Sequence, residues 1–350
     1  MKSSRTLSCP LLSTLLLSLA LGGAASAQIV LDLSSAVARA LSSGPDLSTA
    51  KANLQKAQAN AASVAADPTS LVTTKLSARQ GLASALLSVQ ATRLSVVNTV
   101  VSGYVSAYET ALKVELNAAQ VTLDTRQLQI AQARAKAGTA TALDVTKAQN
   151  ALNSNAQELA DARAQQPILE AGLAKTLALS GDLKLAAPPR APALSQSLAA
   201  LQGGLETRLS SVQQAAQAVE SAQQEVDVSN NDYTPARTLQ DARTALDNAQ
   251  RTLQDAQKSA QNALKDAYRS AQNAAQQVGI SQAALSANQT TLAQTQARLK
   301  AGTAAAVDVQ SAGVNVQQAQ LTLSQAQDSL WKALAALSVA SGQDLTGLVK

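Results

Sequence analysis

The sequence predicts an all-α protein of long antiparallel helical hairpins in two tandem repeats, with little or no β-structure, and three observations predict it. First, Ala133-Arg134-Ala135-Lys136-Ala137-Gly138-Thr139-Ala140, continuing to Asp144-Val145, returns as Ala297-Arg298-Leu299-Lys300-Ala301-Gly302-Thr303-Ala304, continuing to Asp308-Val309. The displacement is a constant 164 residues (302 − 138 and 308 − 144). A period that long in a chain of 350 residues means two structural halves rather than a solenoid of short repeats. Second, aromatic content is 1% with no Phe, so the interior has to be built from Ala, Leu and Val. Such small residues suit long helices lying close together in coiled-coil fashion. Third, apolar residues from Leu82 to Ile130, among them Val89, Val97, Val101, Tyr104, Tyr108, Leu112, Leu116 and Leu123, recur near the three-and-four spacing of a helix face.

In chain order, residues 1–27 read as a secretory signal peptide. Lys2 and Arg5 precede an apolar run from Leu11 to Leu21, and Ala25-Ser26-Ala27 supplies the small-residue cleavage site. Cys9, the one cysteine of the chain, lies ahead of that run, too early for lipid attachment, and leaves with the leader. The first repeat is assigned to residues 28–181. It opens with a short helix over Leu31–Leu41 that ends at Gly44-Pro45, and a second helix starting at Asp46 or Ser48 and stopping near Asp67-Pro68. A rod over about Ser77–Ala137 follows, roughly 90 Å long at 1.5 Å per residue.

Gly138 after the basic last turn is a helix stop, because glycine takes the left-handed conformation that closes a helix and cations suit the negative end of its dipole. Thr139 and Thr303 are the expected N-caps of the returning helices, so each motif is the tip of a helical hairpin. The return helix spans Leu143 to about Leu179, with Pro167 expected to kink or break it and Gly181 to close it. Residues 182–197, with Pro188-Pro189 and Pro192, form the linker, and residues 198–350 repeat the plan. A helix over Leu205–Val226 ends at Asn230-Asn231-Asp232. Thr234 as N-cap and Pro235 at the first helical position start a second rod ending near Ala301, with Gly279 a soft point in it. A last helix runs from about Ala305 to Ser341-Gly342.

Composition excludes several functions. The chain has 28 Lys+Arg against 23 Asp+Glu, and removing Lys2 and Arg5 leaves 26 against 23. The basic residues are scattered singly and stacking aromatics are nearly absent, which argues against nucleic acid as a partner. With no His and no cysteine after the leader, the usual nucleophile–base pairs and imidazole metal sites cannot be built. The sequence therefore predicts no enzyme, no catalytic residue, no metal site and no cofactor.

The plan and the residues carrying it resemble the TolC family of outer-membrane efflux proteins over nearly the whole exported chain. Leu33-Ser34-Ser35-Ala36-Val37 through Ala40-Leu41 to Gly44-Pro45-Asp46-Leu47 is similar to that family's N-terminal pattern, with Gly44 in place of an Asn. The two tips, with Ala148 and Ala312 beyond them, resemble its paired Arg-x-x-x-Gly…Asp-Val-x-x-Ala segments. The resemblance implies a homotrimer whose helices form a twelve-membered α-barrel across the periplasm, working with a periplasmic adaptor protein and an inner-membrane pump. It makes Arg134, Lys136, Gly138, Thr139, Arg298, Lys300, Gly302 and Thr303 the adaptor-docking tips. Asp308, with Asp144 as its first-half counterpart, would belong to an acidic ring at the entrance, which would favour cations.

Three departures limit the resemblance at the entrance. Its second acidic ring position corresponds to Ser311, and its Arg and Tyr latch positions to Ala304 and Leu299. A larger departure lies at the opposite end of the rods, where the family inserts two β-strands per half to make an outer-membrane barrel. A spanning strand needs about 9–11 residues. Neither Asp67–Leu76 nor Val226–Pro235 has room for two, so the sequence predicts a protomer lacking that barrel or keeping a vestige of it.

Each singled-out residue also has a plainer reading. The glycine tips are ordinary helix caps or docking sites; Asp144 and Asp308 are first-turn helix charges or ring members; Arg134 and Arg298 are last-turn or inter-helix pairing residues. Tyr104, Tyr108 and Trp331 read as packing residues. Two functions of different class follow: a passive, exported TolC-like conduit at the periplasm and cell outer membrane, or a structural envelope scaffold on the same frame that transports nothing.

Overall fold

The computed structural model describes residues 29–180 and 183–349; the leader and Gly181 lie outside them. Two helices of 65 residues dominate the molecule, α3 (Val72–Lys136) and α8 (Ala236–Lys300). Each spans roughly 100 Å, and their start and end points differ by the same 164 residues as the motifs. The return helices α4 (Ala142–Thr176) and α9 (Ala306–Ser341) run back along them from the tips. The far halves of the rods are flanked by α2 (Pro45–Ala66) and α7 (Ser210–Ser229).

Along the tip half the helices lie in the order α4, α3, α9, α8, and along the far half in the order α2, α3, α7, α8. The halves are thus joined through α3 against α9 and α7. Leu116 and Leu123 of α3 meet Val314 and Leu321 of α9. Arg79 pairs with Glu220, and Gln80 and Ser84 exchange hydrogen bonds with Gln217.

The main core sits midway along the rods. Helix α1 (Leu33–Ser43) buries Leu33, Ala36, Val37 and Ala40 there, in one core with Val97, Val100, Val101, Tyr104, Leu264, Leu334 and Leu337. Two short strands cover it, β1 (Ile29–Leu31) and β2 (Leu183–Leu185), paired in parallel with Leu31 opposite Leu185. No sequence pattern announces this pair, because three-residue strands carry no measurable alternation. Tyr104 seals it: its hydroxyl lies 2.8 Å from the carbonyl of Leu31 and 2.7 Å from that of Ala186. Trp331 is buried and donates from its indole nitrogen to the carbonyl of Pro189 at 2.9 Å, so both are packing residues.

Each half is tied at this level by an arginine from a short helix that bonds to the end of the half's return helix. Arg39 donates to the carbonyl of Leu177 at 3.1 Å and Arg208 to that of Ser341 at 3.0 Å. Those acceptors are again 164 residues apart. Short helices α5 (Leu198–Gln202) and α6 (Leu205–Arg208) bring Arg208 into place.

Several expected boundaries are corrected. Pro45 is the first residue of α2, with Gly44 as its N-cap, since proline's fixed φ suits a first helical turn. Helix α3 starts at Val72 rather than Ser77. Within the candidate strand segment Asp67–Leu76, residues 72–76 are helix, with Leu71 and Val72 exposed. Leu209 interrupts the expected Leu205–Val226 helix. Pro235 is the N-cap of α8 rather than its first helical residue. Pro167 neither breaks nor ends α4. It lies on the exposed face, where water can satisfy the freed carbonyl, while Leu159, Ala162, Leu173 and Ala174 hold the helix down on either side.

Candidate functional site

The two hairpin tips are near-copies in geometry as well as sequence. At the first, the Gly138 N–H donates to the carbonyl of Ala135 at 3.0 Å and the Thr139 N–H to that of Arg134 at 2.9 Å. At the second, Gly302 donates to Leu299 at 3.0 Å and Thr303 to Arg298 at 2.9 Å. These are the paired bonds of a Schellman closure, which needs a left-handed residue after the helix. Gly138 at φ 72° and Gly302 at φ 74° supply it.

Thr139 and Thr303 do not cap the returning helices. Each turns its hydroxyl back onto the helix it ends, to the carbonyls of Arg134 and Arg298, at 3.1 Å in both tips. The N-cap of α4 is Thr141, two residues later. Its hydroxyl accepts from the Asp144 N–H, and the Asp144 carboxylate accepts from the Thr141 N–H at 2.8 Å, a complete capping box. The pattern Thr-x-x-Asp in the sequence is the signal that finds it.

At the second tip the N-cap is Ala305, and only half the box survives: Asp308 accepts from the Ala305 N–H at 2.8 Å. Ala305→Thr should complete it and stabilise the start of α9 by about 0.5–2 kcal/mol. Slower amide exchange over residues 305–309 and a higher melting temperature would report this, and unchanged exchange would refute it.

Asp144 and Asp308 thus carry out first-turn capping, and both remain exposed. Hydrogen bonds from the Thr141 backbone and hydroxyl hold the Asp144 carboxyl below its ordinary value. Its stabilising effect is therefore present above the ordinary value of 3.8 and lost as pH falls through the lowered one.

Arg134, Lys136, Arg298 and Lys300 stand exposed on the last turns of the rods. Among the described residues no carboxylate pairs with any of them, so the reading of Arg134 and Arg298 as inter-helix ion pairs does not hold. The structure brings all ten tip residues to one end of the molecule, as two exposed caps, each with two free cations, a left-handed glycine and a capping carboxylate. Among the described residues no group of three or more acidic, His or Cys side chains is placed to hold a metal ion.

Sequence reasoning missed one buried polar cluster between α3 and α9. Asp328, wholly buried, faces Glu109, while Lys332 reaches Glu109 at 3.8 Å and donates to the Ser106 hydroxyl at 3.2 Å. Its signal is Asp328, the one carboxylate between Leu323 and Leu337, where the last helix carries its recurring leucines.

At the far end the two turns are also equivalent. The Asp67 carboxylate accepts from the Thr69 N–H and the Asn231 amide oxygen from the Tyr233 N–H, each at 2.9 Å. Both are side-chain-closed turns, not strand pairs. Among the described residues β1 and β2 are the strands, no closed barrel is present, and no helix is long and apolar enough to cross a membrane.

This architecture is the helical fold of TolC-like outer-membrane channels. The chain superposes on the outer membrane protein VceC of Vibrio cholerae with a TM-score of 0.63 and 16% identity, covering 89% of this chain and 96% of that one. A membrane protein from Pseudomonas aeruginosa gives 0.64 at 15% identity, over 91% and 92% of the two chains. The outer-membrane channel OprN gives 0.64 at 16%, over 90% of each. No protein-family model matches the sequence, and no curated protein matches it. The likeness is one of fold.

Proposed function

We propose that the exported chain, freed of residues 1–27, is the passive channel component of a tripartite export system, a TolC-like efflux conduit in the periplasm and at the outer membrane. Three copies would close its four-helix layer into a tube, and the two repeats, residues 28–181 and 198–350 around the 182–197 linker, would each contribute one hairpin per copy. The observation that carries this reading is the pair of matching tips at one end of a fold shared with outer-membrane channels. Their unpaired Arg134, Lys136, Arg298 and Lys300 offer two equivalent contacts to a periplasmic adaptor, which would link the tube to an inner-membrane pump. In the trimer Asp144 and Asp308 would add carboxylates around the opening.

A second reading, a structural envelope scaffold without transport, is favoured by one observation: both far-end connections are tight turns rather than strands. Gene deletion separates the two. A conduit predicts raised accumulation of a fluorescent export substrate; altered envelope cohesion with unchanged accumulation would favour the scaffold.

A further inference from the structure

The contact between the two repeats contains a buried carboxyl that the tips do not explain. Asp328 of α9 is wholly buried, and among the described residues no hydrogen-bond donor reaches its Oδ1. Its Oδ2 has a long contact of 3.4 Å from the Ser324 hydroxyl. Across the seam on α3 stands Glu109, a second carboxylate, whose own countercharge is Lys332. Two carboxylates and one ammonium leave one negative charge in excess, and with Asp328 wholly buried while Glu109 and Lys332 are partly exposed, the cost of that charge falls on Asp328. The arrangement balances only with one added proton.

The other groups around Asp328 offer no alternative. On α3 they are Ser106, Tyr108 and, one turn further, Lys113 and Glu115; on α9 they are Ser324 and Lys332. Helix α8, the other helix packed on α9, carries no ionisable residue between Arg269 and Arg298. Burial raises the Tyr108 phenol, with Asp328 and Glu115 adding to the effect, so Tyr108 is no source of charge near neutrality.

We propose that Glu109 and Asp328 share one proton across the α3–α9 seam, and that its loss parts the two hairpins and changes the spacing of their tips. Burial first, then the facing Glu109, push the Asp328 carboxyl up to about 8. Below this value the seam is closed by a carboxylic acid–carboxylate hydrogen bond balanced by Lys332. Above it, two like charges repel with little water between them. The pair lies beside the main core, and towards the tips the smaller Leu116–Leu321 cluster is the apolar contact across the same seam against which the pair's charge repulsion works. A partner gripping both tips would sense the change; that consequence alone rests on the docking reading.

The sign follows from proton linkage. Between the ordinary value of 3.8 and about 8 the folded chain holds one proton more than the unfolded chain, so stability falls as pH rises. Relative to Asp328→Asn, the folding equilibrium constant of the unaltered mature protein should fall by up to about tenfold per pH unit across that window. Glu109→Gln should shorten the window from above.

For the tips, Gln132→Cys and Gln296→Cys place spin labels on exposed sites near each end, in a chain whose single cysteine lies in the leader. With labelled protein diluted into unlabelled, the inter-label distance should change between pH 6 and 9.5 and stay fixed when Asp328→Asn is added. Parallel stability profiles for the unaltered protein and Asp328→Asn would overturn proton sharing. A difference in stability without any change in distance would overturn the coupling to the tips.

Discussion

Tyr104→Ala is expected to destabilise the folded chain by about 3–5 kcal/mol, the cost of emptying a large buried aromatic site. Tyr104 is fully buried where α1, α3 and the strand pair meet, with Val101 and Leu334 in the same core. Its hydroxyl also bridges the carbonyls of Leu31 and Ala186, so the substitution releases both the β1–β2 pair and the packing beneath it. Tyr104→Phe keeps the ring and should lose about 1 kcal/mol. Its repeat counterpart Tyr268, 164 residues on, is only half-buried against the same core and makes one longer, exposed bond of 3.3 Å to the carbonyl of Gln196. Tyr268→Ala should therefore cost clearly less. Urea unfolding of the three variants checks the order; equal midpoints for Tyr104→Ala and Tyr268→Ala would refute this account of the core.

Gly138→Val combined with Gly302→Val is expected to abolish adaptor capture while leaving the rods folded. Nothing lies within 4 Å of a Cβ built at either glycine, so the effect is one of backbone conformation rather than collision. A left-handed residue with a side chain costs roughly 1–2 kcal/mol, and a β-branched one suffers most. The strain is relieved by unwinding the Schellman bonds from Thr139 and Thr303, which displaces Arg134, Lys136, Arg298 and Lys300. Far-ultraviolet circular dichroism should be unchanged, since the tips are a small part of two 65-residue helices. Adaptor pull-down at the level of the unaltered protein would remove the docking claim.

The tips were legible because their chemistry is local. A glycine after Arg-x-Lys, repeated at a fixed displacement, specifies a left-handed cap wherever it stands, and the structure places Gly138 and Gly302 accordingly. The rods were legible from apolar periodicity for the same reason. What the sequence concealed depends on distant partners. Pro167 looks like a break until Leu159 and Leu173 are seen anchored on both sides of it. Leu31 reads as the start of the first helix until Leu183–Leu185 pairs with Ile29–Leu31. Thr139 was a plausible cap, but Thr141, backed by Asp144, satisfies the α4 terminus with two reciprocal bonds. Asp328 could be picked out as an anomaly, yet only the packing of α9 against α3 shows that it meets Glu109.

Under the proposed function, three copies of this chain build a TolC-like tube without a membrane barrel. Cryo-electron microscopy of the mature protein purified without detergent, with its mass measured in the same solution, tests it most directly. The expected particle is a three-copy, twelve-helix hollow tube, open at the tips and without a strand barrel at the far end. A monomeric rod, or a particle that needs detergent and shows a β-barrel at the Asp67 and Asn231 turns, would contradict it.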